Sequence, residues 1–250
     1  GLPHQSLETT MYTLHCIESL QTDRISLFNY AHMPTRFAAQ RKIKDEWLPS
    51  PALKQEMLKF AKARLMAMGY RHIGMDHFAK PEDTLSIAQE EGRLHRNFQG
   101  YTELEEADLL GFGITSISQV GNVIVKNHKT LHDYYEAIDK LSIHQPASVV
   151  ERGIKLDKDD MIRAAVIKQL ICHCSLDIKS IKDEFDIVFQ DYFAEEIEML
   201  VPMMEDGLIS INEQGIDIVE QGRQFVRTVC MCFDKYLPKY RRSASFSKVI

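Results

Sequence analysis

The sequence of 250 residues contains no long apolar run. Its apolar stretches, such as residues 164–167, are far shorter than the roughly 20 residues that a helix needs to cross a bilayer. A positively charged start followed by an apolar stretch, the pattern of a secretory signal, is also missing. With 44% hydrophobic and 26% charged residues, the chain has the composition of a globular protein, and we expect no membrane partner.

The chain also lacks an excess of basic charge and is poor in cysteine. It carries 30 Lys and Arg against 36 Asp and Glu, a net charge of −6, which disfavours nucleic acid as the main partner. Five cysteines are an odd number, so a complete set of disulfides within the chain is excluded. A low and odd number of cysteines is typical of proteins in a reducing compartment, and we expect a cytoplasmic protein.

The Cys-x₂₋₄-Cys spacing of structural zinc sites is absent as well. The nearest approaches are Cys172-His173-Cys174 and Cys230-Met231-Cys232, and both lie in helical patterns. Residues i and i+2 of a helix point about 200° apart, so neither pair of cysteines can chelate one ion. The sequence predicts no metal site here and places these cysteines in the core or on the surface of helices.

The first 80 residues alternate between helical and strand-like patterns. Ser6 predicts the start of a helix, and residues 24–30 follow as a strand. Ser50-Pro51 predicts a second helix that Gly69 ends, and residues 70–78 form the next predicted strand. This order is typical of an α/β fold with parallel strands. Two parallel strands do not make a stable sheet, so we expect partner strands that this sequence lacks.

The second half of the chain is mostly helical. Thr130 predicts a helix over residues 131–141, and residues 142–155 have the weak periodicity of a linker. Three predicted helices, a hairpin near Gly215 and a final helix over residues 220–236 then favour a small winged-helix-like domain. Residues 151–250 carry 14 Lys and Arg against 18 Asp and Glu, which favours a structural or lid-like role over reading of DNA.

Polar residues follow both predicted strands of the first half. Residues 29–32 end the first strand, and Asp76, His77 and Phe78 end the second. Since parallel α/β folds gather their sites at the carboxyl ends of strands, these residues predict a pocket rim with the small Ala31 next to a ligand. Asp76 and His77 are neighbours on a strand and should face opposite ways, so they are not expected to form a dyad.

Two further segments allow more than one interpretation. Residues 94–101 mix donors, amides and aromatic rings, which suits a pocket for an anionic, ring-shaped ligand with Arg96 pairing a carboxylate. The same residues suit a β-turn in which Gly100 has a positive φ, and both interpretations stay open. Gly111-Phe112-Gly113 lacks the third glycine of a dinucleotide fingerprint and favours close backbone packing.

Several of these segments together resemble one known family. They are residues 29–34 (NYAHMP), 37–43 (FAAQRKI), 73–79 (IGMDHFA), 94–102 (LHRNFQGYT), 111–118 (GFGITSIS), 171–172 and 230–234. In this order they are similar to the oxygen-independent coproporphyrinogen III oxidases of bacteria, and the resemblance runs from residue 1 to residue 250.

The resemblance implies a radical S-adenosylmethionine enzyme of haem biosynthesis. In that family a [4Fe-4S] cluster on a Cys-x₃-Cys-x₂-Cys loop cleaves S-adenosylmethionine, and the radical formed abstracts hydrogen from the substrate. Two propionates of coproporphyrinogen III lose CO₂ and become vinyl groups, which gives protoporphyrinogen IX. By position, Ala31 and Ile117 match residues that contact S-adenosylmethionine, while no catalytic or metal-binding residue is assigned to this chain.

The cluster motif is the main departure from the family, because Cys-x₃-Cys-x₂-Cys occurs nowhere in the sequence. We therefore expect the C-terminal portion of such an enzyme, inactive alone. Residues 1–141 would form the last two βα units of a partial (β/α) barrel and its extension, residues 142–155 a linker, and residues 156–250 the winged-helix-like domain. The strand over residues 24–30 would then have an exposed edge through which the chain self-associates.

Two other classes of protein compete with this interpretation. A haem chaperone of the same superfamily would bind haem, but residues 95–101 differ from the signature of that branch. A winged-helix nucleic-acid binder would use residues 156–250, and the acidic balance of that region argues against it.

Overall fold

The computed structural model describes residues 1–105, 107–140 and 149–237. The chain divides into two compact units, one formed by Gly1–Arg93 with the chain from Arg223 onward, the other by Leu94–Gly222. This grouping differs from the division that the sequence predicts around residues 142–155. In the described ranges, no helix has both the length and the apolar character needed to cross a membrane.

The described residues form both helices and strands. Up to residue 93 they are α1 (Leu7–Leu20), β1 (Arg24–Ser26), α2 (Pro51–Ala67), β2 (Arg71–Gly74), β3 (His77–Ala79) and α3 (Thr84–Glu90). Beyond it they are β4 (His95–Asn97), β5 (Gly100–Thr102), β6 (Ile117–Val120), β7 (Val123–Asn127), α4 (Leu131–Asp139), β8 (Val150–Lys155), α5 (Lys158–His173), β9 (Ser175–Asp177), α6 (Ile178–Phe185), α7 (Phe189–Tyr192), α8 (Ala194–Glu205), β10 (Ile209–Ile211), β11 (Gly215–Ile218) and α9 (Val226–Cys232). Short 3₁₀ helices cover Ala38–Lys42, Asp45–Trp47 and Glu220–Phe225.

The predicted helix starts of the first half are confirmed. The Ser6 side chain accepts a hydrogen bond from the Thr9 backbone N–H, and the Ser50 side chain accepts one from Leu53 at 3.2 Å. Each cap satisfies a backbone donor that has no partner within the helix. The two helices contribute to one core of buried residues, which are Leu14, Ala61, Leu65, Tyr70 and Phe78.

The sheet of the first unit differs from the predicted parallel pair. Its strand order is β1-β3-β2, and β3 is antiparallel to both neighbours, so β1 and β2 are not paired with each other. The prediction of one strand over residues 70–78 is wrong because Met75, with φ 46°, turns the chain into a hairpin. The strand β1 ends at Ser26 and lies at an edge of this sheet. Self-association through that edge stays a prediction.

The second unit begins with two antiparallel sheets. The strands β4 and β5 form a hairpin, and β6, β7 and β8 form a three-stranded sheet. Residues 150–155 of the predicted linker are thus the strand β8, which pairs with β7. Five of its six residues are exposed, so an apolar alternation that would reveal a strand is missing. Residues 142–148 of the predicted linker lie outside the described residues.

The rest of the second unit follows the predicted order closely. Asp157 caps α5 in a reciprocal pair with Asp160, and α5, α6 and α8 are the three helices predicted before the hairpin. The hairpin near Gly215 is confirmed as β10 and β11. The strand β9, which the sequence analysis missed, pairs with β11 and makes the sheet three-stranded. A Cβ atom at Gly215 would collide with the carbonyl oxygen of Leu176, so this position requires glycine.

The predicted final helix over residues 220–236 is only partly correct. The chain first forms the 3₁₀ helix Glu220–Phe225, and α9 covers Val226–Cys232. The change of helix type coincides with the boundary between the two units near Arg223.

Candidate functional site

The first unit contains a cavity of about 400 Å³ between its two long helices and the chain that follows β1. Its walls include Thr10 of α1, Met57 and Ala61 of α2, and residues 27–31. Met57 and Ala61 are also buried in the core, so the cavity wall and the hydrophobic packing share the same side chains. The lining is mainly apolar, which suits a ligand recognised by shape and by backbone atoms.

Ala31 lies at this cavity, in an exposed segment without regular structure. Its carbonyl oxygen accepts a hydrogen bond from Nε2 of Gln40 at 3.0 Å. The Oε1 atom of the same Gln40 accepts the Met33 backbone N–H, so one amide side chain holds residues 31–33 in place. The sequence analysis missed Gln40, because its 3₁₀ helix has no pattern that points to Ala31.

The two predicted strand ends lie next to each other in the first unit. The Leu27 backbone N–H donates to the Asp76 carbonyl oxygen at 2.7 Å, and the rings of Phe28 and His77 are 6.1 Å apart in an edge-on contact. Residues 27–31 line the cavity, whereas Asp76 and His77 are not part of its wall.

Asp76 and His77 do form a pair, contrary to the prediction. Their Oδ1 and Nδ1 atoms are 3.0 Å apart, because Asp76 lies in the hairpin turn and the alternation of strand side chains does not apply to it. Burial favours the protonated Asp76, but the hydrogen bond and the charge of His77 outweigh it and lower the pKa of the carboxyl. A carboxylate that accepts from Nδ1 fixes the ring orientation and leaves the proton off Nε2 in the neutral tautomer.

Ile117 is placed in the second unit, at the start of β6. It is half-buried and pairs with Lys126 across the sheet. A Cβ atom at Gly111 would lie 2.6 Å from the Ile117 carbonyl oxygen, so only glycine permits this approach. Nδ2 of Asn127 donates to the Gly113 carbonyl oxygen at 3.0 Å. These contacts support the interpretation of Gly111-Phe112-Gly113 as close backbone packing.

The segment over residues 94–101 is a hairpin that packs on α5. Gly100 has φ 133°, as the β-turn interpretation requires. The Tyr101 hydroxyl donates to the Ile171 carbonyl oxygen at 3.0 Å, and Cζ of Arg96 lies 5.7 Å from the centre of the Tyr101 ring. Nε of Arg96 is buried and has no hydrogen-bond acceptor among the described residues. The Arg96 guanidinium group thus contacts the Tyr101 ring, while its Nε donor stays unsatisfied within the described residues.

Ionisable groups surround this hairpin in the second unit. Nδ1 of His95 lies 3.6 Å from Oε1 of Glu105. Burial, followed by the charge of Lys168, lowers the pKa of His95, and burial also lowers the pKa of His173. Burial raises the pKa of the Cys172 thiol to about 12 in spite of the nearby Arg96 and Lys168. The cysteine is thus a neutral group near neutral pH.

No group of three or more His, Cys, Asp or Glu side chains that could hold a metal ion occurs in the ranges that the structure covers. Cys172 is buried, while Cys174 is half-buried and ends α5 with φ 55°.

Comparisons with known proteins show which proteins this chain is similar to. The family model described as the HemN C-terminal domain matches residues 156–225. The chain is 48% identical over 250 residues to the oxygen-independent coproporphyrinogen III oxidase of Escherichia coli K12, covering all of this chain and 54% of that protein. It is 39% identical to the enzyme of the same name from Thermostichus vulcanus, covering all of this chain and 75% of that protein.

A solved structure is also similar to this chain in its fold. The structure is described as coproporphyrinogen III oxidase (HemN) from Escherichia coli, a radical SAM enzyme, and it matches with a TM-score of 0.89 at 49% identity. The match covers 94% of this chain and 53% of that chain. The chain spans about half the length of the Escherichia coli relative and of the solved structure, and 75% of the Thermostichus vulcanus relative.

Proposed function

The chain belongs to the oxygen-independent coproporphyrinogen III oxidase family, and we propose that it supplies part of a radical S-adenosylmethionine enzyme of haem biosynthesis. The reaction would convert two propionates of coproporphyrinogen III to vinyl groups, with loss of CO₂, and give protoporphyrinogen IX. The observation that supports this most is 48% identity to the Escherichia coli oxidase along all 250 residues. The fold supports the same conclusion, since the structure of this chain matches the solved relative with a TM-score of 0.89.

The residues proposed to contact S-adenosylmethionine are Ala31 and Ile117. Support for Ala31 comes from its position at a cavity whose walls are mainly apolar, with its backbone fixed by Gln40. Ile117 offers a half-buried aliphatic side chain on a strand whose backbone lies close to Gly111. Both would contribute shape and backbone contact, whereas the bound cofactor supplies the radical chemistry.

The [4Fe-4S] cluster does not fit the residues of this chain. The described cysteines lie in helices or at their ends, and Cys172 is buried as a neutral thiol. The Cys-x₃-Cys-x₂-Cys motif is absent from the sequence. Under this proposal the cluster is held elsewhere in the enzyme, and the reaction takes place in the cytoplasm.

The architecture proposed for the two halves is a partial barrel followed by a winged-helix-like domain. The alternation of α1, β1, α2 and β2 supports the first part. The order of α5, β9, α6 and α8 with the β10–β11 hairpin supports the second. The acidic balance of residues 151–250 favours a structural or lid-like role for that domain.

A chimeric enzyme tests the proposed function. The region of the Escherichia coli oxidase that matches this chain is replaced by residues 1–250, and the purified chimera is assayed without oxygen for conversion of coproporphyrinogen III. We expect protoporphyrinogen IX as the product, detected after oxidation by chromatography. The parent enzyme is the positive control. A chimera that carries its cluster, binds S-adenosylmethionine and forms no product would contradict the proposal.

A further inference from the structure

We propose that Arg96 binds a carboxylate group of a ligand, at the place where the β4–β5 hairpin packs on the C-terminal part of α5. Assignment of that carboxylate to a propionate of the porphyrinogen, or to the methionine part of S-adenosylmethionine, rests on the proposed function. The carboxylate site itself rests on the geometry of the second unit.

The first observation is the unsatisfied donor. Nε of Arg96 is buried, and none of the described residues offers it an acceptor. A buried donor without a partner destabilises a protein, and such a group in a native fold calls for an explanation. A carboxylate accepts two parallel hydrogen bonds from a guanidinium group, from Nε and a terminal nitrogen, and would satisfy this donor.

The second observation is that Arg96 is held in place, while no ion pair joins it to a carboxylate of the described residues. Its guanidinium carbon lies 5.7 Å from the centre of the Tyr101 ring, and the hydroxyl of that ring is anchored to the Ile171 carbonyl oxygen. The ring contact orients the guanidinium group and supplies no hydrogen-bond acceptor to Nε. The side chain is thus preorganised, which lowers the entropy lost when a ligand binds.

The third observation is the charge around Arg96. Lys168 and Cys172 lie one turn apart on α5, and both Arg96 and Lys168 act on the Cys172 thiol. Because burial keeps that thiol neutral near neutral pH, it does not serve as the counter-ion of either cation. The nearby Glu105 is 3.6 Å from His95, and its side chain is 68% exposed. The surroundings of Arg96 therefore favour an added negative charge.

A structural role for Arg96 is the competing explanation. Its charge is close to the C-terminal end of α5, where cations stabilise the helix dipole. Any cation at this position would stabilise the helix dipole, and the Nε donor would take no part. A test that follows Nε therefore distinguishes a structural role of Arg96 from carboxylate binding.

The test follows the Nε–H signal of Arg96 by NMR in the 15N-labelled 250-residue chain. The signal is assigned through its loss in Arg96→Gln, and the probes are glutarate, coproporphyrin III and S-adenosylmethionine. We expect a saturable shift of this signal with glutarate and with at least one of the two larger probes. The signal of Arg93, which is paired with Glu91 on the surface, should not move.

Affinity measurements on variants complete the test. Arg96→Gln should weaken binding of the effective probe about tenfold or more, as expected for hydrogen bonds to a charged group, and Arg96→Lys should restore little of it. Arg93→Gln should leave the affinity unchanged. A shift with coproporphyrin III assigns the carboxylate to a propionate, and a shift with S-adenosylmethionine alone assigns it to the cofactor.

Three outcomes separate this inference from the proposed function. A shift with glutarate but with neither larger probe supports the carboxylate site and argues against its link to the oxidase reaction. No shift with any probe overturns the inference, even if the chimeric enzyme is active. Full affinity in Arg96→Lys also overturns it, because a charge alone would then suffice.

Discussion

The two units recognise ligands in different ways under the proposals made above. The cavity of the first unit is lined by apolar side chains and backbone atoms, and Met57 and Ala61 belong to both its wall and the core. The site of the second unit is built around the charge of Arg96 and is oriented by Tyr101. Recognition at the cavity thus depends on packing, and recognition at Arg96 depends on hydrogen bonds and charge. Substitutions that alter volume should affect the first, and those that remove polar atoms the second.

The largest effect is expected from Phe78→Ala in the first unit. Phe78 is 1% exposed and packs in the same core as Ala61, so removal of its ring leaves a cavity behind the wall of the site. We expect a loss of about 3–5 kcal/mol in the free energy of unfolding. Denaturation of the purified chain in urea measures it. Phe37→Ala, at a position that is 54% exposed, is the matched control and should cost about 0.5 kcal/mol or less.

The next effect is that of Ala31→Leu on binding of S-adenosylmethionine. Because Ala31 is exposed, the larger leucine side chain should not disturb the fold of the chain without ligand. It should clash with a ligand that fills the cavity. Overpacking of this kind costs about 1–3 kcal/mol, which corresponds to about a 5- to 150-fold loss of affinity. Equilibrium binding to the chimeric enzyme measures this loss while its cluster absorbance stays constant. Ala39→Leu, also at an exposed position, should bind normally. Equal affinities of the two variants would show that Ala31 does not touch the cofactor.

A smaller effect is expected from Tyr101→Phe in the second unit. The variant keeps the ring beside Arg96 and removes the hydrogen bond to the Ile171 carbonyl oxygen. We expect a loss of about 1 kcal/mol in the free energy of unfolding. Tyr12→Phe, at a position that is 70% exposed, serves as the control. A loss as large as that of Phe78→Ala would contradict this prediction, because one hydrogen bond would then stabilise the second unit as much as a buried ring stabilises the first.

The smallest effect concerns the pH dependence of stability at Asp76. Its pKa is lowered in the folded chain, so the unfolded chain binds the proton more tightly. The resulting stability is present above the unfolded pKa, near the ordinary value of 3.8, and is lost as the pH falls through the lower folded pKa. Asp76→Asn should flatten this part of the profile. Unfolding in urea at a series of acidic pH values measures it.

His77→Ala provides the matched variant for this last prediction. It removes the partner that lowers the pKa of Asp76, so it should flatten the same part of the profile. The double variant should have the same pH profile as either single variant, since both substitutions remove the same interaction. Independent, additive effects would show that Asp76 and His77 do not act as a pair.

Local signals in the sequence accounted for the helix starts and for one hairpin. Ser6, Ser50 and Thr130 carry side-chain oxygens at the N-cap, which act within a few residues and are visible in the sequence. The turn at Met75 was not foreseen, because methionine with a positive φ is rare and has no local signal. The strand β8 was missed since its residues are mostly exposed and its pairing with β7 is long-range.

The site shows the same limit of sequence reasoning. Residues 29–32 were expected at a pocket because strand ends gather sites, and residues 29–31 line the cavity. The assignment of Ala31 to a cofactor came from the family resemblance alone and stays a prediction. The buried Nε of Arg96 has no acceptor among the described residues. This feature depends on burial by chain that is distant in sequence, so the local sequence does not reveal it.

The pairing of β9 with β11 has a consequence for the order in which this region folds. The strands β10 and β11 are joined by a short turn, whereas β9 is separated from β11 by the helices α6, α7 and α8. Closing a short loop is fast, and contacts between distant residues form late because they must first overcome the entropy of the intervening chain. We expect the β10–β11 hairpin to be an early local structure and the addition of β9 to be the slow, committing step. Gly215 then becomes a kinetic determinant, because a side chain there would block the last strand and leave an open hairpin edge exposed to other chains.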